Sequence, residues 1–452
     1  MGPLNSRLTL SALLALIAAA TACGGSGGKV SVGPQQTDPE RARLEALSPA
    51  VLPPPPADPT NAFLNKPGIA EFGKKLFFDT RFSGPLLDEA NNGEPGTLGL
   101  QGETGKVACV SCHVAKSVFS DTRSSRGQIS LASGWTHRRT KSLLDVGQAS
   151  LLNWDGRRDA AFAQPFTPIE DPVEFNSSRL FVAQQIARLY RADYEAIFGP
   201  MPSLDSYAPL AASAAGCAEL PENVVHGTCI KPGYDDPNVT RIVVNMGKAI
   251  QAYTRQLTCG RSRFDAWIAG DDAALSSEEQ AGARLFVGKA GCDSCHSGPY
   301  LTDHAFHNVG LHPDFVFFVA PIDDHGAADG LAAVVKDPLN AKGVYSDGYD
   351  GRLDQLPALS SVVDAFSTPG LRCVNRRPSF MHTGQFRSLE DVVIFFNNGG
   401  NPNGYQGHSE NFPRDLSSDE RAQLVAFLRS LDGPGPDQSL IDAPQLPPDP
   451  TP

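Results

Sequence analysis

Two pentapeptides carry the chemistry of this 452-residue chain: Cys109-Val110-Ser111-Cys112-His113 and Cys292-Asp293-Ser294-Cys295-His296. In each, two thiols three positions apart can reach the two vinyl groups of one porphyrin. The histidine that follows can turn under the ring as an axial iron ligand. The spacing predicts two covalently bound c-type haems, with His113 and His296 as metal ligands. A zinc half-site or a local disulfide uses the same CxxC spacing. Two copies, each followed by histidine in a helical setting, point to haem instead.

What faces each iron separates catalysis from conduction. A carrier keeps both irons six-coordinate, with His or Met on each distal side. A peroxidase needs one open iron and a distal acid–base group. By residue type alone Glu174 is a loop carboxylate and Trp154 a packed aromatic.

The segments that must position these groups read as helical. Ser417 with Glu420, and Ser276 with Glu279, form capping boxes ahead of apolar helical spacing. Ser388 opens a third helix whose inner face is Leu389, Val392, Val393 and Phe396. Long helical patterns also cover 178–197 and 238–258. Leu76-Phe77-Phe78 precedes the first pentapeptide and Leu285-Phe286 the second, a weak internal repeat. The expected fold class is all-α: two cytochrome c-like helical domains, each with one covalent haem, plus loop insertions.

The expected organisation follows. Residues 1–22 read as a signal peptide, with Arg7 ahead of the apolar run Leu8 to Ala20. Cys23 follows, as in a bacterial lipoprotein signal, although Ala20 stands where leucine is usual; plain cleavage to a soluble periplasmic form is the alternative. Residues 23–58 form a lipid-anchor and Pro-rich linker. Residues 59–269 form the N-terminal, peroxidatic haem domain. Residues 270–436 form the C-terminal, electron-transfer haem domain, and 437–452 a Pro-rich tail. The protein would be periplasmic, or an outer-membrane lipoprotein facing the periplasm. Membrane contact is expected only through that anchor. Outside the pentapeptides and Cys23, Cys217 and Cys229 bracket a short insertion, and Cys259 and Cys373 remain; two disulfides or four free thiols satisfy the count. A net charge of −12 argues against a nucleic-acid partner.

From about residue 60 to 433 the chain resembles the bacterial di-haem cytochrome c peroxidases and their MauG-type relatives. The resemblance rests on Trp154-Asp155-Gly156-Arg157, on Gln164 with Pro168 to Glu174, and on Phe306 to Leu311. It also rests on Phe380-Met381-His382-Thr383-Gly384 with Ser388 to Val393. It implies a peroxidase or oxidase acting on hydrogen peroxide. Glu174 would be the distal acid–base residue at the first haem, Gln164 its neighbour, and Trp154 the ring between the haems. Between the first pentapeptide and the tryptophan turn the only histidine is His137, too close to the following Arg to match the usual distal ligand, which implies an open first iron of the MauG type; His137 moving in as a ligand is the alternative. At the second haem, Phe396 stands where the family places Met or Tyr, so the iron at His296 is either five-coordinate or capped from elsewhere; Tyr405 and His408 are weak candidates, and Met381 is read as packing. His307 and His382 would lie near the second haem, while His226, His304, His312 and His325 read as loop residues. The family's calcium site would use position 139, here Arg139, with carbonyls of Arg377 and Ser379, so calcium is possible but doubtful. Electrons would come from a small redox protein or from a partner protein substrate. The run Arg376 to His382 looks most like the methanobactin-associated di-haem enzymes, which modify a tryptophan on a partner. A di-haem electron-transfer cytochrome without peroxidase activity is the alternative.

Overall fold

Two helix crossings, built alike, hold the two pentapeptides. A computed structural model of the protein describes residues 38–123, 129–217, 236–311, 324–400 and 407–450. In the first crossing, helix Ile69–Phe78 packs on helix Pro237–Thr254. Gly73 makes the contact: a Cβ there would sit 1.9 Å from the Ala249 carbonyl oxygen. In the second, helix Ser277–Val287 packs on helix Ser418–Ser430. A Cβ at Gly282 would likewise sit 1.9 Å from the Gln423 carbonyl oxygen. Only a residue without a side chain allows backbones this close.

One turn further on, aromatic pairs repeat the match. Phe77 meets Tyr253 at 5.3 Å and 60°, and Phe286 meets Phe427 at 5.3 Å and 62°. The same two phenylalanines flank the haem-site histidines: Phe77 lies 6.2 Å from the ring of His113, and Phe286 lies 6.5 Å from that of His296. The repeat that the sequence shows weakly is therefore strong in side-chain packing.

The expected caps form. Ser417 and Ser276 accept the amides of Glu420 and Glu279, and Ser388 caps helix Leu389–Asn397. The 178–197 pattern is two helices, Arg179–Leu189 and Arg191–Phe198. Tyr190 leaves helical geometry between them, with its hydroxyl donated to Asp79 at 2.7 Å. Strand is nearly absent among the described residues: Phe306–His307 pairs antiparallel with Phe366–Ser367. The chain is thus helix-rich, and long loops fill the space between the helices.

One apolar cluster gathers Ile69 to Cys259, with Leu339, Tyr345 and Cys373; a second gathers Leu44 and Leu47 with Phe264 to Leu301 and Leu371 to Leu431. The linker reading of 23–58 needs correction at its end. Residues Pro39–Leu47 form a helix that buries Leu44 and Leu47 in the second cluster. Arg43 of that helix makes two hydrogen bonds to Asp293, inside the second pentapeptide. The tail also packs: helix Gln438–Ile441 lies on the first cluster, and the Leu440 carbonyl accepts the Tyr253 hydroxyl at 2.7 Å. Cys259 and Cys373 are joined by a disulfide. Cys217 is also disulfide-bonded. Cys229 lies outside the described residues, as do the signal segment, Cys23, His226, His312 and Tyr405. No described helix is long and apolar enough to cross a membrane.

Candidate active site

The six residues assigned to the first haem site line one cavity of about 480 Å³: Cys109, Cys112, His113, Trp154, Gln164 and Glu174. Each arrives by a different local device. Cys109–Cys112 is a single helical turn that ends at His113. Gln164 caps the short turn Ala161–Ala163. Glu174 lies in the loop after helix Phe166–Glu170, its amide donating to the Asp171 carbonyl and its carbonyl accepting from Ser133. Trp154 sits in a turn closed by the Leu152 amide on the Arg158 carbonyl at 2.7 Å.

Both haem-site histidines are prepared in the same way. Nδ1 of His113 lies 3.1 Å from the Phe119 carbonyl, and Nδ1 of His296 lies 3.0 Å from that of Leu301. A carbonyl only accepts, so Nδ1 carries the proton and Nε2 keeps its lone pair for a metal. Burial pushes both imidazoles down to about 4, which keeps them neutral. Cys109, Cys112, Cys292 and Cys295 are free thiols rather than local disulfides.

The cavity wall also has the charge that a haem would complement. Arg139, Lys141 and Arg377 line it. Removal from water pushes them down, to about 9, 8 and 10 respectively, and Arg377 adds repulsion to the other two. Their hydrogen-bond partners are neutral. Arg139 donates to Ser379 and Ser120, Lys141 to Ser367, and Arg377 to the Gly370 carbonyl. Nε of Arg377 is buried with no partner at all. Buried cations call for anions, and a haem brings two carboxylates. With the free thiols and the neutral His113, these residues fit a covalent haem.

Glu174 is half-buried. Burial, with repulsion from Asp171, pushes its carboxyl up to about 7, while Arg157 pulls the other way. Arg157 lines the same cavity, and its Nε too is buried without a partner. Sequence reasoning gave Arg157 no role beyond its motif, although its place directly after Trp154-Asp155-Gly156 was the available signal.

Trp154 is buried, and its indole N–H donates to the Arg139 carbonyl at 2.7 Å. Lys141 Nζ lies 5.2 Å above its ring. On another side His382 stands edge-on at 6.4 Å, itself stacked on Phe366 at 3.5 Å and 12°. Trp154 thus joins the first cavity to a column of rings from the C-terminal part of the chain. Burial pushes His382 down to about 3, so it is neutral.

At the second centre, His307 is held between Asp303 and Glu410 at 2.8 and 2.7 Å. Asp303 leads in raising it, which keeps it charged. Ligand atoms of Cys295, Asp303 and His307 lie within 4.8 Å of one another. Cys295 belongs to the haem pentapeptide, so this trio is the haem's surroundings rather than a separate metal site. Phe396 is half-buried against Phe395 at 5.3 Å, and His408 is exposed. His137 and His304 are exposed residues of the first cavity wall. His325 is half-buried, with Nδ1 at 3.4 Å from Asp364.

Calcium does not fit. The side chain that should offer an oxygen is the Arg139 guanidinium, which only donates, and Arg377 stands beside it.

Known proteins resemble this chain over most of its length. The family model for di-haem cytochrome c peroxidases matches residues 67–273. A methylamine utilization protein MauG of Methylorubrum extorquens is 29% identical over 95% of this chain and 94% of its own. The cytochrome-c peroxidase IdrP1 of Denitromonas iodatirespirans is 29% identical over 99% and 98%. Among solved structures, the diheme peroxidase BthA of Burkholderia thailandensis superposes with a TM-score of 0.59 at 23% identity, covering 86% of this chain and 93% of that one. A MauG-like protein associated with microbial copper homeostasis gives 0.56 at 24%, over 88% and 96%. These two likenesses concern the fold.

Proposed function

We propose that this chain is a di-haem cytochrome c peroxidase of the MauG-like kind and reduces hydrogen peroxide at the haem held by Cys109, Cys112 and His113, with electrons arriving through the haem held by Cys292, Cys295 and His296; the family model over residues 67–273 and the 29% identical relatives support this reading. It is an oxidoreductase of the MauG-like peroxidase type. The single observation that carries the assignment of sites is the cavity that collects His113, Trp154, Gln164 and Glu174.

When bound, the haem supplies an iron that takes up peroxide and accepts electrons. Glu174 takes the proton from the near oxygen of peroxide and returns it to the departing one. A carboxyl near 7 can do both at neutral pH. The Gln164 amide orients the peroxide, and Arg157 offsets the Glu174 charge. Each peroxide takes up two electrons and two protons and leaves as two waters. Trp154 carries electrons between the centres, supported by its contact with the His382–Phe366 stack. His113 would hold that iron from one side; the MauG-type resemblance implies that the other would be left for peroxide, and His137 is an exposed residue of the cavity wall.

Two cytochrome c-like domains meet near residue 270, a division supported by the matched Gly73–Phe77 and Gly282–Phe286 crossings. The electron source is a small redox protein or side chains of a protein substrate, as in the methanobactin-associated subgroup. The protein is exported through residues 1–22 and acts in the periplasm, either free or anchored at Cys23.

The test is stoichiometric peroxide added to the ferric holoprotein, followed by optical and EPR spectroscopy. A high-spin signal should be lost at once, and Glu174→Gln should slow that loss about 10²-fold or more at unchanged haem content. Two low-spin haems that ignore peroxide, even after half-reduction, would make the protein an electron carrier instead.

A further inference from the structure

We propose that Arg139 is a built-in cation: its guanidinium cross-links the two haem-bearing regions where the family's calcium would lie, and the enzyme holds its tryptophan bridge without that ion. Four hydrogen bonds carry the inference. Nε donates to the Ser379 hydroxyl and Nη2 to the Ser120 hydroxyl, each at 2.6 Å. The main-chain N–H donates to the His382 carbonyl at 2.7 Å, and the main-chain carbonyl accepts the Trp154 indole N–H at 2.7 Å.

One residue thus ties together three parts of the site. Ser120 follows Phe119, whose carbonyl orients His113. Ser379 and His382 belong to the loop that stacks on Phe366 and meets Trp154. Trp154 is the ring between them. Arg139 is buried, so these bonds do not compete with water.

The same geometry leaves no place for calcium, which takes six to eight oxygen ligands. The Arg139 side chain offers donors only, its carbonyl already accepts from Trp154, Ser379 accepts from the guanidinium, and Arg377 and Lys141 bring two more positive charges to the same cavity wall. Asp121, the carboxylate that acts on Arg139, is already paired with Arg123. Arg139 is a positioning residue. Its effect on electron transfer rests on the bridging role proposed for Trp154; its exclusion of calcium does not.

The holoprotein tests both parts. After equilibration with calcium chloride and desalting, wild type should retain no stoichiometric calcium, and a chelator should leave the EPR spectra of both ferric haems unchanged. Stoichiometric calcium, or haem spectra that respond to the chelator, would overturn the proposal. With one equivalent of peroxide, Arg139→Asn should slow the response of the second haem relative to that of the first about tenfold, and Arg139→Lys should recover most of that loss. Equal behaviour of wild type, Asn and Lys variants would sink the cross-link. If the Asn variant does not accumulate, Ser379→Ala, which removes one of the two side-chain contacts, replaces it in the comparison. A first haem inert to peroxide would defeat the peroxidase site assignment, whereas the calcium measurement would still decide this proposal.

Discussion

Glu174 has the sharpest consequence at the residue scale. Its carboxyl holds a proton up to about pH 7, because burial and Asp171 disfavour its charge. As the initial base it must be ionised, so the rate of reaction with peroxide should fall as pH drops through about 7. Stopped-flow rates between pH 5 and 9 should show that inflection in wild type and lose it in Glu174→Gln. The linked stability has the opposite sign. The folded chain binds this proton more tightly than the unfolded one, so stability falls as pH rises from the ordinary carboxyl range, about 4.3, through 7. Glu174→Gln should flatten that fall in urea unfolding. Trp154→Phe should delay the second haem's response and leave the first haem's reaction alone. At this scale the pentapeptides were legible because their chemistry is local: two thiols and a histidine within five residues. Arg139, Lys141 and Arg377 were not legible as one charged wall, since the last lies far along the chain and only folding brings it in. Of the two substitutes for Phe396 that residue types offered, Tyr405 lies outside the described residues and His408 is exposed.

At the scale of elements, the glycines at the helix crossings make the clearest prediction. Gly73→Ala and Gly282→Ala would each drive a methyl group to 1.9 Å from a backbone carbonyl oxygen. Neither crossing can absorb that without separating the helices, so each should cost at least the 1–3 kcal/mol typical of overpacking, about the upper end or more. Gly68→Ala is the control. Unlike Gly73 and Gly282, which are helical, it is in the left-handed region, at φ +80°, and nothing lies within 4 Å of its Cβ position, so the cost should be the roughly 1–2 kcal/mol of backbone strain alone. Thermal unfolding of the three holoproteins would separate packing from strain. Helix starts were readable because a cap and its partner stand three residues apart, as at Ser276 and Glu279. The helix Pro39–Leu47 was hidden in a Pro-rich stretch. Its two leucines acquire meaning only against helix Ser277–Val287, which no local pattern announces. The break at Tyr190 was hidden for the same reason, since its anchor is Asp79.

For the whole molecule, the disulfide between Cys259 and Cys373 is the long-range fastener, spanning 114 residues. Beside it, Arg372 makes a buried two-point ion pair with Asp265, at 2.7 and 2.9 Å, and Asp265 also accepts the Ser48 hydroxyl. Disulfide and ion pair thus fix the Cys373 loop, the Cys259 segment and the entry of helix Arg263–Ile268 at one place. The cysteine count in the sequence left this pairing open beside four free thiols, because pairing depends on distance and not on order. Closing a loop of this length removes freedom from the unfolded chain worth about 4–5 kcal/mol. The Cys259→Ser/Cys373→Ser protein should therefore unfold at lower urea by roughly that amount, or by 2–5 kcal/mol if strain offsets part of it. Its haems, attached through other cysteines, should react with peroxide as before. Such a bond forms in oxidising compartments. Wild-type protein treated with a reductant should then match the double variant in urea until it is reoxidised, and an unchanged urea midpoint on reduction would show that the ion pair alone holds this junction.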